Sequence, residues 1–342
     1  MFESNTKKIY SSVLDEYNAL KNGSGIRIVP NATAIRLTGK ETLDFLNRVS
    51  TNAVKELKPL EKKNTLFLNE KGRLIDRTVL LNLDNFYLII GSPNPSKKLF
   101  SWINKFIIME DIQTKDVTDD YLLIELLGPQ TESYLTLLIG DEIKNLNSQN
   151  VLYTNADGFS FYLFKSSENN GIVIYKILVD KNRSSEFIDY LLQNKSVFDI
   201  NLVGEDAYNI FRIENGLAST PNEINDNYTP HETNLIGDVS FNKGCYIGQE
   251  VIARLDTYDK VQRKMFGIIF PVGVELDGTA QLFDKENNDA GNVTSIVYSE
   301  FLKKSIALGF LRKKVLNGNN QIFTEIDGKK IPLIICDLPF KR

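Results

Sequence analysis

A thiol framed by glycines is the most chemically suggestive feature of the sequence, in Lys243-Gly244-Cys245-Tyr246-Ile247-Gly248-Gln249-Glu250. Two glycines bracketing Cys-aromatic-Ile let the main chain turn sharply or admit another chain or ligand closely. After Gly248 the pattern becomes helical. Val251, Ile252, Leu255 and Tyr258 share one face, and Glu250 and Arg254 form an i,i+4 pair on the other. Cys245 then lies just before a helix N-terminus and close to Lys243, and both features favour thiolate. A free thiol of pKa ~8.5 is only a few per cent ionised at neutral pH, so one unit of lowering, worth roughly 1.4 kcal/mol, matters. The competing reading is a buried, inert cysteine, because free cysteine is among the most buried residue types.

Partners for that thiol are few. His231 is the single histidine, about a dozen residues upstream in Thr229-Pro230-His231-Glu232-Thr233-Asn234-Leu235. A Cys–His pair in space would activate the nucleophile. A lone histidine in a turn more commonly makes hydrogen bonds or faces solvent. Two scattered cysteines, Cys245 and Cys336, and one histidine do not supply the usual four ligands of a structural zinc or a self-contained iron–sulfur cluster, so no metal site is expected. There is no phosphate loop and no dinucleotide fingerprint, and Gly72 and Gly91 read as turn residues. Taken alone, Asp76 reads as a strand-end carboxylate facing solvent. Glu232 reads as a loop carboxylate, and Arg263 and Lys264 as solvated cations.

Composition bounds what these groups can serve. At 342 residues the chain exceeds one ordinary hydrophobic core, which predicts two or three packed units. Apolar residues make up 42% and charged residues 25%, the balance of a soluble globular protein. A net charge of −4 and a pI near 5.4 argue against a general nucleic-acid or membrane surface. The cysteine usage fits a reducing compartment. No targeting segment is legible at Met1–Lys8, and no apolar run approaches a membrane span, so a cytoplasmic protein is expected.

The elements that must hold these residues follow from periodicity. Ile9, Val13, Leu14, Tyr17 and Leu20 predict a helix ended by Gly23-Ser24-Gly25. Strands are predicted at 26–29 and 32–37. Thr38-Gly39-Lys40-Glu41 matches a capping box before a helix carrying Leu43, Phe45, Leu46 and Val49 inward. Stretches 65–68 and 74–83 read as a hairpin around Asn69-Glu70-Lys71-Gly72. Next come a strand at 86–90, ended by Gly91-Ser92-Pro93, and a helix at 97–106. A second α+β layer follows. It has a strand at 121–127, a break at Gly128-Pro129, a helix through Leu138, strands at 159–164 and 173–179, and a helix at 184–192. A helix at 205–214 stops at Asn215-Gly216. From Met265 the texture changes to short strands, at 266–270, 293–297, 306–310 and 331–335, which predict a small β-barrel or sandwich.

Lys243 to Glu250, continued by Val251-Ile252-Ala253-Arg254, resembles the signature of the YgfZ family of folate-binding proteins implicated in maintaining iron–sulfur enzymes. The likeness extends to the related glycine-cleavage aminomethyltransferases. Leu37-Thr38-Gly39 with Phe45-Leu46, Ala207 to Gly216, and Pro230 to Leu235 resemble the shared folate-binding core. Gly291-Asn292-Val293-Thr294-Ser295 and Ile306-Ala307-Leu308-Gly309 resemble the transferase C-terminal barrel. Coverage is close to the whole chain and weakest at 128–200.

The resemblance implies an α+β fold with three domains in a ring around a central tetrahydrofolate channel. It divides the chain into 1–120 with 201–262, 121–200, and a C-terminal barrel at 263–342. Asn69 to Asp76 resembles the hairpin whose aspartate sits near the folate N10, which gives Asp76 a role in orienting that nitrogen or handling its proton. The same resemblance places Glu232, with Asn234 beside it, at the pterin's donor edge, and lets Arg254 meet the folate tail. Three features depart from the transferases: Arg77 follows Asp76, Asn52-Ala53 replaces an Asn-Asp pair, and the Cys245 segment is added. The expected function is therefore a tetrahydrofolate-binding accessory protein for iron–sulfur cluster assembly or repair. Cys245 and Lys243 supply its functional thiol segment, and iron–sulfur client or assembly proteins are its partners. The alternative is a folate-dependent aminomethyl or one-carbon transferase.

Overall fold

Ser12 opens the first helix, Val13–Asn22: its hydroxyl oxygen accepts the Asp15 main-chain N–H at 3.1 Å, and the Gly23 N–H closes the helix on the Ala19 carbonyl. Ser24 and Gly25, expected to end this helix, instead begin the strand Ser24–Val29. The computed structural model describes residues 8–93, 97–168, 171–274, 278–317 and 321–341; the charged start at 1–7 lies outside them. The chain divides into two units. One comprises Met1–Phe67, Ile75–Tyr208 and Asn242–Ile247; the other comprises Leu68–Leu74, Asn209–Phe241 and Gly248–Arg342.

Two sheets build the first unit. One has the strand order Ile200–Val203, Ser24–Val29, Tyr121–Leu127, Val173–Asp180, Phe159–Ser167, Val151–Ala156. The other runs Lys62–Leu68, Leu74–Asn82, Tyr87–Pro93, Ala32–Thr38, Gln113–Asp116. Strand alternation explains their stacking. Leu122, Ile124 and Leu126 point into one core, beneath the helices Thr131–Ile139 and Ser184–Gln193, while Leu123 points into another. Ile89 likewise faces the core under the helices Thr42–Val49 and Lys98–Lys105, and its neighbours Leu88 and Ile90 face the opposite way. Leu88, Ile90, Leu123, Phe164 and Leu178 share one cluster, so the two sheets meet back to back and each carries helices on its outer face. Strands buried on both faces read as continuous apolar runs, as Leu122–Leu127 nearly does.

Local signals were realised with some changes of register. The capping box at Thr38 does not form. Thr38 ends its strand, Glu41 is the N-cap residue without a side-chain cap bond, and its carboxylate instead accepts the Asp111 N–H at 2.6 Å. The helix itself is as expected, with Phe45, Leu46 and Val49 buried. Short strands at Gln113–Asp116, Val151–Ala156 and Ile200–Val203 had no prior signal, since their pattern is too brief or too polar.

The second unit centres on a closed barrel ordered Arg263–Ile269, Lys304–Arg312, Asp289–Ser299, Ala280–Phe283, Ile322–Ile326, Lys329–Cys336. Ile268, Leu282, Val293, Ala307 and Leu311 fill its interior. Closure removes sheet edges, which decides between the barrel and sandwich readings. Arg212 pairs with the fully buried Glu223 at 3.2 Å and donates to Ser295 Oγ at 2.8 Å, which ties the segment at 209–241 to the barrel. The protein is thus a mixed α and β fold with a six-stranded C-terminal barrel. Among the described residues no helix is long and apolar enough to cross a membrane.

Candidate functional site

Asp76 belongs to the strand Leu74–Asn82 and is 2% exposed, so the solvent-facing reading of this carboxylate does not hold. Its partners come from the neighbouring strand, Tyr87–Pro93. Ser92 Oγ donates to Oδ1 at 2.7 Å and the Ser92 N–H to Oδ2 at 3.1 Å, while the Arg77 N–H donates to Oδ1 at 2.8 Å. Burial pushes the Asp76 carboxyl up to about 6, against the opposing pull of the Ser92 hydrogen bonds. Gly91 makes room for it. A Cβ at that position would come 2.6 Å from Asp76 Oδ2. Gly91-Ser92-Pro93 therefore continues the strand rather than ending it. Arg77, the departure from the transferase pattern, pairs with Glu168 at 2.8 Å.

The Lys243–Ile247 segment lies in the same unit. Tyr246 is buried, Ile247 packs against the core beneath Thr42–Val49, and Cys245 between them and Lys243 is exposed. The inert-cysteine reading therefore fits Cys336 and not Cys245: partial burial pushes the Cys336 thiol up to about 11. Lys243 Nζ donates to the Ser50 and Asn52 carbonyls at 2.7 and 2.8 Å, at the C-terminal end of the helix Thr42–Val49, and lies over the Tyr246 ring. Desolvation lowers its ammonium to about 8. Its charge is thus committed to helix-end carbonyls, where the helix dipole favours a cation.

In the second unit, Gly248 is the glycine that the turn requires. Its φ is +83°, and a Cβ there would come 2.8 Å from the Asn69 carbonyl oxygen and 3.1 Å from Gly72 Cα. Gly244 has neither constraint, for a Cβ there meets nothing within 4 Å. The helix Gln249–Thr257 follows, with Ile252 buried. Tyr258 lies beyond its last turn and is exposed, and among the described residues no Glu250–Arg254 ion pair forms. Arg254 is exposed beside a shallow depression shared with Leu255 and Lys260.

Glu232 is buried and taken by four donors. Arg73 Nη1 at 2.9 Å, the Thr229 N–H at 2.7 Å and Thr229 Oγ1 at 3.1 Å reach Oε2, and Arg263 Nε reaches Oε1 at 2.8 Å. A carboxylate accepts about four hydrogen bonds, so this clamp nearly exhausts it. Arg263, expected to be solvated, is held by that clamp and stacks over the Tyr228 ring at 4.6 Å. Asn234 takes a left-handed turn position at φ +60°. His231 Nε2 lies 3.3 Å from Asp256 Oδ1, and Nδ1 is buried without a hydrogen-bond partner.

The GCVT N-terminal domain matches residues 1–243, and the glycine cleavage T-protein C-terminal barrel domain matches residues 263–341. The chain belongs to the glycine cleavage T-protein family. Similar curated proteins include the aminomethyltransferase of Bacillus licheniformis, 26% identical over 353 residues, with 97% of this chain and 91% of the relative covered. That of Caldanaerobacter subterraneus is 23% identical over 350 residues, with 97% and 89% covered. Among solved structures, glycine cleavage system aminomethyltransferase T from Bartonella henselae aligns with a TM-score of 0.84 at 22% identity, covering 97% of this chain and 90% of that one. That likeness shows the shared T-protein fold.

Several residues around Asp76 and Glu232 escaped sequence reasoning. Ser92 and Gly91 were visible only as a Gly-Ser-Pro stop signal. Glu168 sits in the stretch of weakest resemblance. Arg73 is the residue of the hairpin tip whose partner, Glu232, is too distant in sequence to be inferred from spacing.

Proposed function

We propose that this chain binds tetrahydrofolate and works in folate-dependent one-carbon transfer, with aminomethyl transfer as the reaction its relatives favour. Support comes from relatives named aminomethyltransferase that cover nearly the whole chain, and from the two family domains that together span it. The observation that carries the reading is Asp76. Its carboxyl is buried, fixed by Ser92, and poised to exchange a proton near neutral pH. Asp76 fits a bound amine-bearing heterocycle, because Oδ2 takes a single N–H and is bordered by a glycine. Tetrahydrofolate, when bound, supplies the nitrogens that carry a one-carbon unit. Asp76 orients such a nitrogen and holds or releases a proton at Oδ2. With a pKa of about 6, about a tenth of the carboxyl is protonated at pH 7. Glu232 serves to fix Arg73 and Arg263 rather than to meet the pterin. The test is incubation with a lipoyl-bound aminomethyl donor and tetrahydrofolate. Release of ammonia with formation of methylene-folate, lost in Asp76→Ala, is expected; no turnover by the wild type removes the transferase reading.

One observation supports a second reading. Cys245 is an exposed thiol on a turn pinned by Tyr246, Ile247 and the Lys243 hydrogen bonds. That arrangement suits transient thiol chemistry with a protein partner, as in a folate-binding accessory factor for iron–sulfur cluster assembly or repair. Here Cys245→Ala keeps fold and folate binding but abolishes rescue of iron–sulfur enzymes in a strain lacking the protein. Full rescue by that variant removes Cys245 from the mechanism.

A further inference from the structure

The amine of Lys243 is held in place, but not by charge. Its Nζ donates to the Ser50 and Asn52 carbonyls at 2.7 and 2.8 Å and lies 5.2 Å from the centre of the Tyr246 ring. Desolvation lowers its ammonium to about 8, and among the described residues no carboxylate opposes that loss. Ala53, next after the second acceptor, is exposed and brings no carboxylate where the transferases' Asn-Asp pair would. Both acceptors are fixed. Ser50 is 1% exposed, and its N–H and hydroxyl donate to the Leu46 carbonyl at 3.0 and 2.8 Å. Asn52 donates its N–H to Thr65 Oγ1 at 3.0 Å and Nδ2 to the Asn64 carbonyl at 2.9 Å, and its Oδ1 accepts the Ala53 N–H at 2.9 Å. Nothing in the proposed folate chemistry uses this amine.

Donor counting shows what this setting suits. An ammonium has three N–H groups and no lone pair, whereas a neutral amine has two N–H groups and one lone pair. Two fixed carbonyls therefore satisfy the neutral amine completely and leave its lone pair directed away from them. At pH 7 about a tenth of a lysine with a pKa of about 8 is neutral, against a few in ten thousand for an ordinary lysine of pKa ~10.4. Lys243 is half-buried, so a small electrophile reaches it more readily than a bulky one. The product must also answer both carbonyls. Acylation would leave a single N–H for two acceptors. Addition to an aldehyde gives a carbinolamine, whose N–H and O–H supply two donors again.

We infer that Lys243 is a nucleophilic amine that captures a one-carbon aldehyde as a carbinolamine, with the Ser50 and Asn52 carbonyls holding the nitrogen before and after addition. The Nζ lone pair forms the N–C bond, the carbonyl π pair becomes the hydroxyl, and one amine proton passes to that oxygen, so nothing leaves and no co-reactant is needed. The inference does not depend on folate binding. To test it, the full chain without folate is treated at pH 7 with dilute formaldehyde and cyanoborohydride. The hydride reduces the iminium that forms when the carbinolamine loses water, and peptide mass spectrometry times methylation at each lysine. Lys243 should be methylated at least about tenfold faster than Lys58 and Lys285, which are exposed. That ratio should fall as pH is raised, because ordinary lysines then gain neutral amine, and it should vanish in urea, where the two carbonyls no longer hold Nζ. A Lys243 rate no higher than those of Lys58 and Lys285 in the folded protein overturns the inference. So does a ratio indifferent to pH, or one that persists in urea and so belongs to the neighbouring sequence alone.

Discussion

Replacing Asp76 by Asn should change how stability depends on pH. In the folded protein burial raises this carboxyl from 3.8 to about 6. Below pH ~3 it is neutral in folded and unfolded chains alike, and its burial as a neutral group costs little. As pH rises from about 4 to about 6, the unfolded chain releases the proton first, and the folded state loses ground. Above about 6 the loss is constant, near 3 kcal/mol for a shift of roughly two units. Between about pH 4.5 and 7.5 the wild type should lose about 2 kcal/mol relative to Asp76→Asn, which has no proton to release. Trp102 provides the probe. It is the chain's one tryptophan and packs against Phe67 and Phe106, with ring centroids 5.4 and 4.7 Å away, in the unit that contains Asp76. Urea unfolding followed by Trp102 fluorescence therefore reports on the unit that holds Asp76. Equal pH dependence in the two proteins would refute the argument that burial, rather than its hydrogen bonds, dominates at Asp76.

Other consequences are equally direct. Gly248→Ala should cost about 2 kcal/mol or more, from a left-handed backbone and a clash with the hairpin tip, whereas Gly244→Ala should be nearly neutral; paired thermal melts decide. Native thiol titration should show Cys245 reacting at once and Cys336 only on unfolding, because the first is exposed and the second is half-buried with its thiol pushed up to about 11. Lys243→Met should destabilise the first unit by about 1–2 kcal/mol through the lost bonds to Ser50 and Asn52, measured by Trp102 fluorescence in urea.

Much of the fold was legible because its signals are local. Helices such as Thr42–Val49 and Ser184–Gln193 carry apolar residues at helical spacing, and the barrel strands are separated by glycine and asparagine turns. The site was less legible because its couplings are distant. Asp76 could be picked out by resemblance, but its burial depends on Ser92 and Gly91 in the next strand, and register between strands is not written in either one. Lys243 was read as a neighbour of Cys245 because the two are close in sequence. Its ammonium instead reaches carbonyls almost two hundred residues earlier. Glu232 was picked out by resemblance alone, and its donors Arg73 and Arg263 were not legible because they meet it only in space.

We propose that this T-protein family member binds tetrahydrofolate with Asp76 in contact. Calorimetric titration of tetrahydrofolate into the wild type and Asp76→Ala tests it directly. One saturable site is expected in the wild type, with an affinity lower by roughly tenfold or more in the variant. Absence of binding to the wild type, or identical binding by both proteins, would contradict it.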